Sequence, residues 1–405
     1  VREIHRRIAI CYVGWLFDFY DLAIISYLLP DLAKSFHLSG SQESWLLGSA
    51  LGASGVGGII FGALADRFGR KKIMTWTIVM YSVGTGLSAL APTASLFIFF
   101  RALAGLGLGG EWAVGHALIA ESSEKNRRGR AAALLQSGEP VGVALAALAG
   151  LLLTPLIGWR VVLLLSSLTA FWAIAVRRYL PESPLWEKEQ TLPPTFRAAK
   201  KIENRKWLLS PTGLSLMFRG FLVALFKLAT YWTCYVWLPK LFLERFHEPL
   251  GRSAFWILST QVGQWLGMLL FGRISDRVGR RLTFTAYSCL TSISLFLLAF
   301  HWESLIQNRV AFWWVLMGLG IGSGCTAGFG ALLSELFPTG VRNFAMGTVY
   351  NLARGAQIFA PVVVAAAMHR ADVKGALMVP LVFALLTATF IWTLPETKNR
   401  NLAEI

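Results

Sequence analysis

The sequence predicts an all-α membrane protein of about twelve transmembrane helices in two pseudo-symmetric six-helix bundles, and three observations predict it. Of 405 residues, 55 % are hydrophobic and only 15 % charged, too apolar a balance for a soluble protein of this size. The chain divides into apolar stretches of the roughly 20 residues that a helix needs to cross about 30 Å of hydrocarbon. Finally, Gly62, Asp66, Arg67, Gly69, Arg70 and Lys71 in the first half return as Gly272, Asp276, Arg277, Gly279, Arg280 and Arg281 in the second, an internal repeat.

The first span, 9–30, follows basic residues but is longer than a signal-peptide core and lacks a small-residue cleavage site. Spans 45–65, 73–91 and 95–120 come next, with the Asp66–Lys71 turn between the second and third. Gly105, Gly107 and Gly110 in the fourth have the letters of a dinucleotide-binding loop, but no strand precedes them, so they read as small residues for close helix contact. Gly58 with Gly62, and Gly318, Gly320, Gly322 and Gly324, read the same way. Spans 131–153 and 158–180 complete a first bundle, 1–180. A basic linker, 181–208, containing Lys188, Arg197, Lys200 and Lys201, separates it from the second bundle, 209–405. The linker reads as a solvated loop whose basic faces rest near anionic headgroups. Spans 211–238, 253–274, 282–300, 309–334, 343–368 and 374–394 build the second bundle.

The formal charge of +16 is not gathered into a patch interleaved with aromatics, which excludes a nucleic-acid footprint. The basic residues concentrate in alternate loops instead, which puts both termini in the cytoplasm of an inner or plasma membrane. Cys11, Cys234, Cys289 and Cys325 sit in apolar segments without metal-ligand spacing. No metal site, cofactor, nucleophile-and-base arrangement or long soluble domain stands out, so an enzyme is not expected.

Ionisable groups inside spans cost roughly 2.5 to 3.5 kcal/mol each on insertion scales, so those that remain are candidates for function. Asp18 and Asp21 lie near one face of the first span, with Arg101 of the fourth at a compatible depth for an ion pair. Glu111 and Glu139 fall at similar depths on neighbouring spans, where two carboxylates disfavour simultaneous ionisation. His116 reads as a hydrogen-bonded packing residue. Arg219 and Arg354 near mid-depth, and Lys227 farther outward, favour an anion, and a guanidinium can hold a carboxylate through two hydrogen bonds. Gln136, Gln261, Gln264, Tyr350, Asn351 and Gln357 could recognise hydroxyl or amide groups or equally join helices. Two matched pairs, Glu121 with Arg128 and Glu335 with Arg342, accompany the repeated turns, as do Pro181-Glu182-Ser183-Pro184 and Pro395-Glu396-Thr397-Lys398.

The phrase from Gly62 to Lys71, Arg101 before a glycine-rich helix, and the Pro-Glu-Ser-Pro and Pro-Glu-Thr-Lys endings resemble the major facilitator superfamily over essentially the whole chain. The resemblance implies two six-helix bundles around a central site that opens alternately to each side, with the repeated turns and their Glu/Arg pairs as a conformational latch. Phe17-Asp18-Phe19-Tyr20-Asp21 and Gly110-Glu111-Trp112 resemble proton-coupled symporters of sialate, aromatic acids and related metabolites. Glu139 departs from that pattern, since an apolar or aromatic residue is expected there. By the same resemblance Asp21 matches the helix-one acid, with Arg101 as its partner, and is the first proton-site candidate. The expected function is a monomeric secondary transporter importing a small organic acid anion with protons. A proton-coupled importer of a neutral sugar and a non-transporting receptor are the alternatives.

Overall fold

Helices, turns and short 3-10 or π segments make up the ordered structure, and no strand occurs among the described residues. The computed structural model describes residues 2–246 and 250–402. Val1, 247–249 and 403–405, which the sequence reading assigns to the two bundles, lie outside the described residues.

Many apolar spans lie within longer helices, because good helix formers continue past the hydrocarbon-length core; span 309–334 is instead divided between Arg309–Ser323 and Gly328–Ser334, and the single helix Ala360–Phe390 runs through the break expected between spans 343–368 and 374–394. In the first half these are α1 (Arg2–Phe36), α2 (Gly40–Phe68), α3 (Arg70–Leu90) and α4 (Ala94–Ser122). Thr93 caps α4 by accepting from Leu96 N–H. The next span is assembled from α5 (Arg128–Gln136), α6 (Gly138–Leu148) and the start of α7 (Thr154–Ser166), and the one after it ends with α8 (Ala170–Tyr179). Gly158, at φ +76°, breaks the helical path inside α7, so the 52-residue stretch Arg128–Tyr179 holds two crossings.

The linker is not the loop that its charge suggests. Residues 184–209 form α9 (Pro184–Gln190) and α10 (Pro194–Leu209), the first started by Ser183, whose hydroxyl accepts from Trp186 N–H. The second half comprises α11 (Pro211–Phe246), α12 (Leu250–Val278), α13 (Arg280–Phe300), the short α14 (Trp302–Gln307), α15 (Arg309–Ser323), α16 (Gly328–Ser334), α17 (Arg342–Gly355) and α18 (Ala360–Phe390). Leu151, Leu156, Phe171, Phe218, Val310 and Trp314 stand exposed on the outside, which suits a hydrocarbon solvent.

The glycines of α4 explain its place between α2 and α3. A Cβ at Gly105 or Gly109 would strike the backbone of Ala50, Ser54 or Gly58 on α2, and one at Gly107 would strike Thr77 and Tyr81 on α3. In the second half α15 repeats the device: Gly320 faces Thr260 on α12, and Gly322 faces Tyr287 and Thr291 on α13. Packing, not phosphate binding, accounts for the pattern.

At the end of the molecule where Arg7 donates to the Glu182 carbonyl, the halves are fastened by two ion clusters that mirror each other. Glu121 Oε1 takes Arg70 of its own half at 3.0 Å and Arg342 of the other at 2.7 Å. Glu335 Oε1 takes Arg280 of its own half and Arg128 of the other, both at 2.9 Å. Asp66 accepts from the N–H groups of Asn343 and Phe344 at the start of α17, and Asp276 from those of Gly129 and Arg130 at the start of α5. Each carboxylate thus neutralises the positive end of a helix across the seam. Ser183 and Thr397 hydroxyls donate to Glu121 and Glu335 respectively.

Glu182 receives the N–H groups of Arg70 and Lys71, and Glu396 those of Arg280 and Arg281. Partial burial pushes the Glu396 carboxyl up, but the N–H groups of Arg280, Lys398, Arg281 and Thr397 outweigh it and hold the group below its ordinary range. Gly69 and Gly279 take φ +97° and +110° to make these turns. Gly62 lets α2 reach the Asn343 backbone, and Gly272 lets α12 reach α5. Arg67 and Arg277, expected to share in the latch, do not bridge: both are exposed, and the Arg67 guanidinium lies over Phe68.

Gly109→Ala should lower stability by about 1–3 kcal/mol by overpacking, whereas Gly115→Ala on the same helix, where a Cβ meets only side chains at 3.4 Å or more, should be neutral or stabilise by up to about 1 kcal/mol. Unfolding in detergent measures both, and equal effects would contradict this packing. Glu121→Gln with Glu335→Gln removes the shared anions of the clusters, a break costing about 3–5 kcal/mol per buried pair. Fluorescence transfer between dyes at Lys125 and Val278 should then report a more separated population, and unchanged distances would disprove the latch.

Candidate functional site

Beyond the latched end, the seam between the halves is closed by an aromatic layer. Trp112 of α4 stacks on Tyr350 of α17 at 3.7 Å and 7°. The Trp112 indole N–H donates to Gln136 Oε1 at 3.1 Å, and His116 Nε2 lies 2.8 Å from the same oxygen. Because that oxygen already accepts from Trp112, the His116 contact is satisfied with the proton on Nε2. The Gln136 amide donates to Glu139 Oε2 at 2.8 Å, and Gln264 of α12 donates to Glu139 Oε1 at 2.9 Å across the seam.

Next to this layer is a small cavity lined by Phe19, Glu139, Tyr231, Trp232, Tyr350 and Arg354, so both halves contribute to it. Arg354 is 2 % exposed. Its guanidinium carbon sits 5.3 Å from the centre of the Phe19 ring and 5.8 Å from that of Trp15, both on α1. Neither Nη1 nor Nη2 has a hydrogen-bond partner among the described residues. Ring quadrupoles attract a cation but do not replace acceptors for its five N–H groups, so the group keeps unused donor capacity facing the cavity.

The four candidate proton-site acids of the first half, Asp18, Asp21, Glu111 and Glu139, separate into different environments. Asp21 pairs with Arg101 at 2.9 Å and accepts from the Thr85 hydroxyl, and Arg101 also donates to Thr85 Oγ1 and to the Asp21 carbonyl. Asp18 has Glu111 as its immediate carboxyl neighbour and Arg354 and Asp21 as further charges around it. The oxygens of Asp18 and Glu111 have no hydrogen-bond partner among the described residues. Two neighbouring buried carboxyls disfavour simultaneous ionisation. The expected pairing of Glu111 with Glu139 is therefore corrected: Glu111 turns toward α1, and Glu139 is held by two amides. Glu111 also lines a second cavity with Cys11, Met74 and His116 on the latched side of Trp112.

Several expected substrate contacts are spent on structure. Arg219 does not reach the seam; it bonds Ser215 one turn back and the Thr393 carbonyl at 2.7 Å, an outer-surface position fixed by the helix face it occupies. Asn351 donates to the Gly109 carbonyl at 2.7 Å and so ties α17 to α4. Gln357 donates to the Ala353 and Leu225 carbonyls, and Gln261 is buried but is not in the cavity lining. Lys227 is buried against Cys325 with Glu139 in electrostatic reach. The Trp112–Tyr350 stack and the Trp15 and Phe19 faces beneath Arg354 are not readable as pairs from sequence, because they join residues of different helices. The adjacency of Trp112 to Glu111 is their one sequence signal.

The 4-methylmuconolactone transporter assigned as probable in Cupriavidus pinatubonensis is 30% identical, the match covering 98% of this chain and 91% of that protein. A sialic acid transporter of Escherichia coli is 29% identical, the match covering 87% of this chain and 84% of that protein. Among solved structures, a proton:xylose symporter superposes with a TM-score of 0.79 at 20% identity, covering 100% of this chain and 98% of that one, which speaks to the fold. The family described as Major Facilitator Superfamily matches residues 11–261 and 253–404; with two latched helical halves around a shared cavity, the chain belongs to that superfamily and is a transporter, not an enzyme.

Proposed function

We propose that the protein is a secondary active carrier that moves a small organic acid anion together with protons by alternating access, working as a monomer with no cofactor. The observation that carries this reading is Arg354, a fully buried guanidinium with both terminal nitrogens unpartnered, facing a cavity shared by the two halves. A carboxylate is the group that such a fork accepts through two parallel bonds. A neutral sugar would leave the charge uncompensated, which disfavours the sugar reading. A receptor without transport has no use for reciprocal clusters that can open, whereas a carrier does.

Coupling follows from position. Asp18 lies within the electrostatic field of Arg354 and against Glu111. With the carboxyl pair ionised, Asp18 competes for the guanidinium; with the pair protonated, Arg354 is free for substrate. Proton and anion then favour each other's binding, which is the differential affinity a symporter requires. Asp21 is held by Arg101 and is assigned to positioning α1 against α4. The latched end is assigned to the cytoplasm because the basic loops lie there, so the cavity loads from outside. Carrying protons with the anion also reduces the membrane-potential cost of about 2.3 kcal/mol per charge per 100 mV.

Arg354→Ala should weaken carboxylate binding by about a hundredfold, with Arg354→Lys intermediate because a point charge lacks the fork; equal affinity in all three proteins, by calorimetry on a panel of sialate and aromatic acids, would overturn the site. Asp18→Asn and Glu111→Gln should keep exchange of labelled substrate across proteoliposomes but lose accumulation driven by an acid exterior. Retained accumulation with wild-type pH dependence in both variants would remove the pair from coupling.

A further inference from the structure

A carboxyl and a guanidinium line the cavity without touching. Glu139 and Arg354 both face it, yet no ion pair joins them, and none joins Glu139 to Lys227, among the described residues. In a dry cavity unlike charges of the same chain normally meet, since the attraction is strong there. Here Glu139 is held back: Gln136 of its own half and Gln264 of the other each donate to one of its oxygens. A carboxylate has about four acceptor positions, so two amides leave capacity for a further donor. A glutamine would also accept hydrogen bonds at this place, but only the acid keeps a negative charge on the cavity wall.

We infer that the cavity is a bipolar slot, and that the preferred cargo is a zwitterionic organic acid whose carboxylate meets Arg354 and whose cationic nitrogen meets Glu139. This rests on the reading of the protein as an organic acid carrier and narrows it to one chemical class. Phe19, Tyr231, Trp232 and Tyr350, with Leu228 and Thr326, form the remaining walls and suit a flat or cyclic body between the two charged ends. The geometry also makes such a cargo a bridge between the halves. Arg354 belongs to the second half and Glu139 to the first, so a guest touching both binds best when the halves are drawn together, which gives it a hold on the conformational equilibrium.

The test uses counterflow in proteoliposomes with three acids of one shape: benzoate, 4-(hydroxymethyl)benzoate and 4-(aminomethyl)benzoate. The wild type should take the aminomethyl acid about tenfold or more in preference to the hydroxymethyl acid, as a charged hydrogen bond over a neutral one would give. Glu139→Gln, nearly isosteric, should bring the two acids to within about twofold of each other, a ratio read within the variant itself. A wild type that prefers the hydroxymethyl acid or benzoate overturns the inference but leaves the organic acid carrier standing. So does an unchanged preference in Glu139→Gln. If none of the three acids, nor sialate, exchanges, the carrier reading itself falls and this one with it. Should Glu139→Gln fail to fold, the wild-type ratio alone decides.

Discussion

A guanidinium taken out of water must find acceptors or counter-charge inside the protein, and the arrangement of this molecule follows from how that demand is met. Arg70, Arg280 and Arg342 are fully buried and each reaches a glutamate, while Arg101 reaches Asp21. Arg354 is as deeply buried, lies over the Trp15 and Phe19 rings, and has no hydrogen-bond partner for its terminal nitrogens among the described residues. The first four find a counter-charge in the observed arrangement, so they hold it in place. The fifth is the one to which the proposed function assigns an entering anion.

The satisfied charges are also divided by what they join. Arg70 and Arg280 tie a glutamate within a half, whereas Arg342 and Arg128 tie the same glutamates across the seam. Opening the latched end would therefore separate two pairs and leave two intact, with each glutamate still neutralised by its own half. Neither Glu121 nor Glu335 would be stranded as an unpaired buried anion, which keeps the open state within reach energetically. The same holds for Asp66, which keeps Arg70 at 3.4 Å, and for Asp276, which keeps Arg280 at 2.9 Å, when the facing helix N-termini withdraw.

Much of this was legible in the sequence because duplication writes the same chemistry twice. The paired turns, the Glu121/Arg128 and Glu335/Arg342 pairs and the two Pro-Glu endings announce two matched halves before any geometry is known. The glycine spacing of α4 likewise announces close packing. What stayed hidden was rotation about each helix axis. Depth along a span can be counted from its ends, so Arg101 could be matched with Asp21. The face a residue presents depends on neighbours that periodicity does not identify in a chain buried on most sides. Arg219 therefore looked central and is peripheral, Asn351 looked like a ligand contact and is a tie between helices, and Glu111 seemed to belong with Glu139 but belongs with Asp18.

That last reassignment matters most for mechanism. Had Glu111 and Glu139 shared a site, one group of acids would have served both the proton and the cavity wall, and protonation would have erased the negative end of the slot. On the proposed reading, their separation leaves the Asp18–Glu111 pair to change its charge while Glu139, fixed by Gln136 and Gln264, keeps a constant role. In the mechanism proposed here both tasks converge on one guanidinium: the carboxyl pair would govern when it is available, and Glu139 which ligand can occupy it. On that proposal a single buried arginine, without a hydrogen-bond partner for its terminal nitrogens among the described residues, makes timing and selectivity depend on each other.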